Sequence, residues 1–364
     1  MKNAVPVQNF VKVDRFNNIT QKRWFWGVVS YGSATLVLLL SVTVFILAMG
    51  HSPLVSLQAA LKDSLLTIGG LSQTLNRTTP LLLGSLAFSI CARAGLSNIG
   101  IDGQIYAGAI LSTGMGLVCA KQGLSMVVAL PLVLVVGMVG GLLYVSLAGI
   151  LRVKWGVSEI FSTVMLNFIA LLLVEFLATG VWNDPMAGEA ITLPIARSAV
   201  LPKLLPSGGA HIGFLIAAVL AFGVWFLMYR TRLGYEIRAI GSNPRAAMFG
   251  GIDLTRVQLL AFSLAGLLAG LAGAIEITGV HERLLLGLTP NYGIMSILIS
   301  VVGRFHPIAL VPVSFAFGIL VAGSDSLQRT ADFPSSAVFM VQGLAVLIVL
   351  ILEAIRDKRE RFTV

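Results

Sequence analysis

Long apolar runs joined by short polar segments make up most of the chain. They fall at roughly 27–50, 79–94, 104–120, 124–150, 157–180, 210–229, 257–279, 291–303, 307–323 and 338–355. Most approach the ~20 residues that a helix needs to cross a bilayer. Backbone in hydrocarbon must satisfy its own hydrogen bonds, so the pattern predicts an all-α polytopic membrane protein with about ten transmembrane helices. The first run is 24 residues, longer than the ~7–15 of a cleaved signal, and reads as a retained span despite the small-x-small triplet Ala48-Met49-Gly50.

Two places interrupt the pattern. One is Ala94 to Gln104, which holds Gly95, Gly100 and Gly103; the other is 280–306, with Gly287, Pro290, Gly293 and Gly303. Discontinuous helices in corresponding places of two halves point to an internal repeat and a translocation pathway; ordinary loops are the other reading. Whether 79–103 and 280–306 re-enter the membrane is left open by the pattern.

Residues 230–256 carry five arginines and no lysine between two apolar runs, so they must be presented to water. Asn243-Pro244 ahead of Arg245-Ala246-Ala247-Met248 reads as an N-cap with proline in the first turn, and Gly250-Gly251 as the stop. A short surface helix follows, suited to docking a partner or serving only as a solvated loop. If both termini are cytoplasmic, seven basic residues lie outside (Lys62, Arg77, Lys121, Arg197, Lys203, Arg283 and Arg329) and the other 18 of the 25 inside, the expected bias. This orientation makes 1–26 a cytoplasmic tail, 230–256 a cytoplasmic loop and 356–364 a second tail, within one membrane domain over 1–364.

With 57% of residues hydrophobic and 11% charged, against ~25% charged in soluble domains, a water-soluble globule is excluded. The net charge of +9 is scattered between spans, so it does not form a nucleic-acid surface. No lysine follows a glycine, so there is no phosphate-cradling loop and any ATP must be hydrolysed by another polypeptide. No catalytic motif appears. The four histidines lack metal-ligand spacing, and Cys91 and Cys119 read as buried apolar groups, so neither a metal nor a cofactor is expected.

Glu159, Thr163 and Asn167 recur every four residues on one stripe of an apolar helix. Such groups are costly against lipid and should face a polar cavity or a neighbouring helix. Glu159 could instead be solvated at the membrane boundary, and Asn167 could bridge two helices. Asn98, Asp102 and Gln104 sit in the glycine-punctuated break, as solute contacts or as a satisfied hinge. Gly137 and Gly141, with Gly266, Gly270 and Gly273 beside Ala265 and Ala269, form small-residue faces for close helix packing.

Four blocks carry a resemblance: RAGLSNIGIDGQIYAGA (93–109), GVSEIFSTVMLNFIA (156–170), RAIGSNPRAAMFGGI (238–252) and YGIMSILISVVGRFHPIA (292–309). The chain resembles membrane permeases of ABC importers in the branched-chain amino acid, ribose and nucleoside superfamily, most of all the larger permease of nucleoside or simple-sugar uptake systems. The resemblance implies a type II importer permease fold in the bacterial inner membrane, working by alternating access and forming no bonds itself. The implied partners are a second, shorter permease, a cytoplasmic ABC ATPase, an external substrate-binding lipoprotein, membrane lipid and a small polar solute. It implies that 238–252 is the coupling helix, with Gly241, Asn243, Ala246, Ala247 and Gly251 as coupling positions; Glu236 and Arg238 are counted with them. It also places Asn98, Asp102, Gln104, Glu159, Thr163 and Asn167 on the solute pathway. Ser158 and Asp102 depart from the nucleoside branch, where Asn and Glu are common; both changes keep a polar side chain. The competing readings are a simple-sugar importer permease and a stand-alone secondary transporter using Glu159 or Asp102.

Overall fold

The structure, a computed structural model, describes residues 52–204 and 208–330, with scattered positions over 40–50 and 339–351. The chain forms two compact units, one over 54–338 and one of 1–53 with 339–364. In the second unit the described positions of 40–47 and 339–351 are helical. The tails 1–26 and 356–364 lie outside the described residues.

From Pro53 onward the chain runs α1 (Pro53–Leu61), a π turn (Lys62–Leu66), α2 (Ile68–Arg93), α3 (Ile101–Gln122), α4 (Met126–Trp155) and α5 (Glu159–Thr179). After a long loop come α6 (Gly213–Arg230), α7 (Arg232–Ser242), α8 (Pro244–Phe249) and α9 (Leu254–Glu276). A second π turn (Ile277–His281) leads to α10 (Tyr292–Val302) and α11 (Pro307–Thr330). Among the described residues there are no strands, only three isolated bridges. Among the described residues, six helical stretches are long and apolar enough to cross a membrane, over Ile101–Gln122, Met126–Trp155, Glu159–Thr179, Gly213–Arg230, Leu254–His281 and Pro307–Gln328.

The run at 79–94 is a truncation of the real element. α2 begins eleven residues earlier, at Ile68, where the Thr67 hydroxyl caps Gly70 N at 3.0 Å. Its first turns are polar enough to break the hydropathy pattern, yet the hydroxyls are satisfied internally: Ser72 donates to Ile68 O, Thr78 to Thr74 O and Thr79 to Leu75 O. A helix whose polar groups bond its own carbonyls can enter a bundle without an apolar sequence. Arg77 therefore lies within α2, not in an outer loop, and pairs at 2.8 Å with Asp325, which belongs to α11 because that helix continues past the apolar run at 307–323 to Thr330.

α9 is the pivot of the bundle, packing on α2, α3 and α4. The contact is made backbone to backbone. A Cβ on Gly108 of α3 or on Gly141 of α4 would collide with backbone atoms of Gly270 in α9, and one on Gly266 with Gly141 O. Without a strong hydrophobic force between helices in lipid, this closeness supplies dispersion attraction. The loop 181–204 folds over one end of the bundle: Leu201 N donates to Thr278 O at 2.8 Å, Ile195 N to Glu282 O at 2.9 Å, and Arg283 pairs with Asp184 at 2.9 Å.

Candidate functional site

α2 stops at Arg93, Gly95 takes φ +73°, and Leu96 N closes on Cys91 O at 2.9 Å. The chain then crosses to α3 through a segment whose polar side chains bind one another. Asn98 Oδ1 accepts from Gln104 Nε2 at 2.8 Å and from Gly100 N at 3.2 Å, and Asn98 Nδ2 donates to Gln104 Oε1 at 3.3 Å. Both carboxamides are fully buried. From α5, Asn167 Oδ1 accepts from Gly103 N at 2.8 Å and Asn167 Nδ2 donates to Ile99 O at 3.1 Å. Thr163 sends its hydroxyl back to Glu159 O and sets its Cβ against Gly100, where an added methyl would come within 2.8 Å.

Two carboxylates complete the constellation. Asp102 Oδ1 accepts from Gly293 N at 2.8 Å, capping the first turn of α10, where unpaired N–H groups favour an anion. Glu159 pairs with Arg152 at 3.2 Å, and Ser97 N approaches it at 3.5 Å. All six positions thus converge where the break, α5 and the start of α10 meet. Asn98, Gln104 and Thr163 are enclosed, whereas Asp102, Glu159 and Asn167 keep part of their surface open. Asn167→Ala should lower the thermal midpoint of the detergent-solubilised protein, since it orphans two backbone groups at about 1–3 kcal/mol each. Asn167→Asp, which keeps the acceptor for Gly103 N, should lose less.

Sequence reading missed a second polar cluster. Arg77 bridges Asp325 and the Tyr292 hydroxyl, each at 2.8 Å, so one guanidinium joins α2, α10 and α11. Glu276, 1% exposed at the end of α9, lies 3.5 Å from His281 Nε2, near enough for charge pairing but out of hydrogen-bond alignment. The signal available beforehand was a lone acid inside the 257–279 run. The partners come from separate segments, which periodicity does not connect.

In the Arg-rich hairpin the expected cap is present: Asn243 Oδ1 accepts from Ala246 N at 3.1 Å with Pro244 at the first helical position, and Gly251 turns the chain at φ +81°. One side of the hairpin is a concavity of about 470 Å³, lined by Glu236, Asn243, Ala246, Ala247 and Gly251 together with Tyr235. Phe249 stands beside it 92% exposed and Met248 58% exposed. The other side faces the bundle. Arg238 lies 5.0 Å over the Tyr229 ring, and Gly241 abuts the backbone of Arg93 and Gly95, so close that a Cβ would collide with Arg93 O. The hairpin therefore rests directly on the start of the break that leads to Asn98 and Asp102.

Known proteins are similar to this chain over most of its length. A glucose ABC transporter permease of Haloferax volcanii is 30% identical over 348 residues, covering 91% of this chain and 90% of its own. A guanosine ABC transporter permease of Bacillus subtilis is 29% identical over 78% of this chain and 82% of its own. A nucleoside ABC transporter permease of Lactococcus lactis subsp. cremoris is 28% identical over 79% and 80%. The family model described as branched-chain amino acid transport system / permease component matches residues 70–351. The chain is thus a multi-pass membrane protein and a transport component rather than an enzyme, and it belongs to the branched-chain amino acid transport system / permease component family.

Proposed function

We propose that this ABC permease imports nucleosides or related small polar solutes across the bacterial inner membrane, with both termini and the 230–256 hairpin in the cytoplasm. The observation that carries the reading is the two-sided hairpin: a concavity with exposed Phe249 on one side, and Gly241 seated against Arg93 and Gly95 on the other. An ATPase gripping the concavity would push on the break through backbone contact, without a flexible side chain between. Glu236, Asn243, Ala246, Ala247 and Gly251 form the grip, while Arg238 and Gly241 transmit its movement to the bundle. The break and α5 border the pathway, with Asp102, Glu159 and Asn167 offering polar surface and Asn98, Gln104 and Thr163 holding the backbone around them.

In this proposal the chain is one permease domain with about ten spans and the internal repeat of the type II importer fold, the two discontinuities being α2–α3 and α9–α10. Its partners are a shorter permease, a cytoplasmic ABC ATPase and an external binding lipoprotein. Pairing is supported by the Bacillus subtilis and Lactococcus lactis relatives, each of which occurs as two permeases of the same solute name. A simple sugar is the second reading of the solute, favoured by the Haloferax volcanii relative.

Cysteine placed at Arg245, with Cys91 and Cys119 replaced by alanine, tests orientation and grip together. In right-side-out vesicles the thiol should resist an impermeant maleimide and cross-link to the co-expressed ATPase. Labelling from the periplasmic side would overturn the proposal.

A further inference from the structure

The C-terminal end of α6 carries an aromatic stripe. Phe222 and Trp225 rings lie 5.2 Å apart, Tyr229 follows Trp225 by one turn, and the His306 ring is 5.3 Å from that of Tyr229. Two guanidiniums rest on the stripe: Arg230 is 5.9 Å from the Trp225 centroid and Arg238, from α7, is 5.0 Å from that of Tyr229. Among the described residues, Arg77, Arg152, Arg232 and Arg283 each have a carboxylate partner, but neither Arg230 nor Arg238 does. Phe222 and Phe226 are 58% and 52% exposed next to them. Trp225 and Tyr229 followed by Arg230 at the end of an apolar helix mark the level of the membrane–water boundary, where Trp and Tyr rings gather.

We propose that Arg230 and Arg238 bind the phosphodiester headgroup of an anionic lipid, with its acyl chain lying along Phe222 and Phe226. Stacking uses the face of a guanidinium and leaves its N–H edge free, and that edge matches two phosphate oxygens. Arg238 spends only Nε, on Gly234 O at 3.3 Å, so its two terminal amino groups remain to donate. A free phosphate would use the same two arginines but gain nothing from the exposed rings. The partner is therefore a lipid, as expected of basic pockets between helices at a membrane face. Neither Arg230 nor Arg238 lines the docking concavity, so a lipid and a docked ATPase can be held together. The lipid would then tie the bundle-facing side of the hairpin to the leaflet. The identity of that leaflet rests on the orientation proposed above; the site itself does not.

Native mass spectrometry of the purified full chain, delipidated in detergent, tests this with phosphatidylglycerol and phosphatidylcholine of identical acyl chains. One phosphatidylglycerol should be retained about tenfold more than phosphatidylcholine, a difference of about 1.4 kcal/mol. The Arg230→Gln/Arg238→Gln variant should lose that preference, while Arg197→Gln, in the loop between α5 and α6, should keep it. If the double variant is not monodisperse, Arg230→Gln alone, at an exposed side chain, should at least halve the preference. Equal retention of both lipids would overturn the proposal. So would an unchanged preference in the arginine variants, or a thermal shift with inorganic phosphate as large as that with phosphatidylglycerol. The assay needs no ATPase and no orientation, so the lipid site and the transport mechanism can fail separately.

Discussion

Gly270→Val should abolish recovery of folded protein: the monodisperse peak in size-exclusion chromatography falls to background, while Gly223→Ala elutes like the parent. Gly270 has helical backbone, so a glycine is not required there for its φ, and a residue with a Cβ would by itself favour the helix by up to about 1 kcal/mol. The packing reverses that sign. A Cβ at 270 would lie 2.9 Å from Gly141 N and closer still to Gly137 O, all backbone of α4. On another flank, Gly108 of α3 leaves no room beside the Gly270 carbonyl. No rotamer change relieves a clash with backbone, so two helices must separate, and their glycine contacts are lost together. The cost exceeds the about 1–3 kcal/mol usual for overpacking. Gly223 on α6 has nothing within 4 Å of the added methyl, so the same kind of substitution there is expected to be neutral or slightly stabilising. Parent-like yield and melting of Gly270→Val would contradict this account of the bundle.

Ala246→Glu is expected to leave insertion and folding intact and to bring uptake by the assembled importer to background. Ala246 is exposed, and its N–H, capped by Asn243, is untouched by the change. The new carboxylate would be buried unpaired beneath the ATPase, which costs about 2–5 kcal/mol, a loss of roughly 30- to several-thousand-fold in association. Phe249→Ala should act in the same direction, since an aromatic side chain that protrudes beside a concavity is the usual anchor of such a contact. The readout is ATPase co-purification together with solute uptake. Gly241→Trp is a different experiment: position 241 is pressed against Arg93 and Gly95, so an indole there would dislocate the break as well as the hairpin. Wild-type uptake by Ala246→Glu would rule out the docking role.

Much of this architecture was legible in the residues. Asn243-Pro244 announced α8 because capping is local chemistry: one side-chain oxygen, one amide three residues on, and a proline with no donor to lose. The glycine faces of α4 and α9 were readable because four-residue spacing alone defines a helix stripe, and the stripes do meet. Glu159, Thr163 and Asn167 shared a stripe for the same reason, although periodicity did not reveal that Asn167 reaches across to Gly103 and Ile99. The start of α2 was missed because hydropathy scores a threonine as polar even when its hydroxyl bonds the preceding turn. Arg77, Tyr292 and Asp325 were not connected for a further reason. An ion pair and a hydrogen bond spanning more than 200 residues leave no trace in local pattern.

Uptake by the purified chain in liposomes, measured with and without its ATPase and ATP, tests the central claim most directly. The account predicts that concentrative uptake of nucleoside requires the ATPase, the second permease, the binding lipoprotein and ATP together, and that a proton or sodium gradient across liposomes containing this chain alone drives none. Solute accumulation by the chain alone under an ion gradient would contradict it.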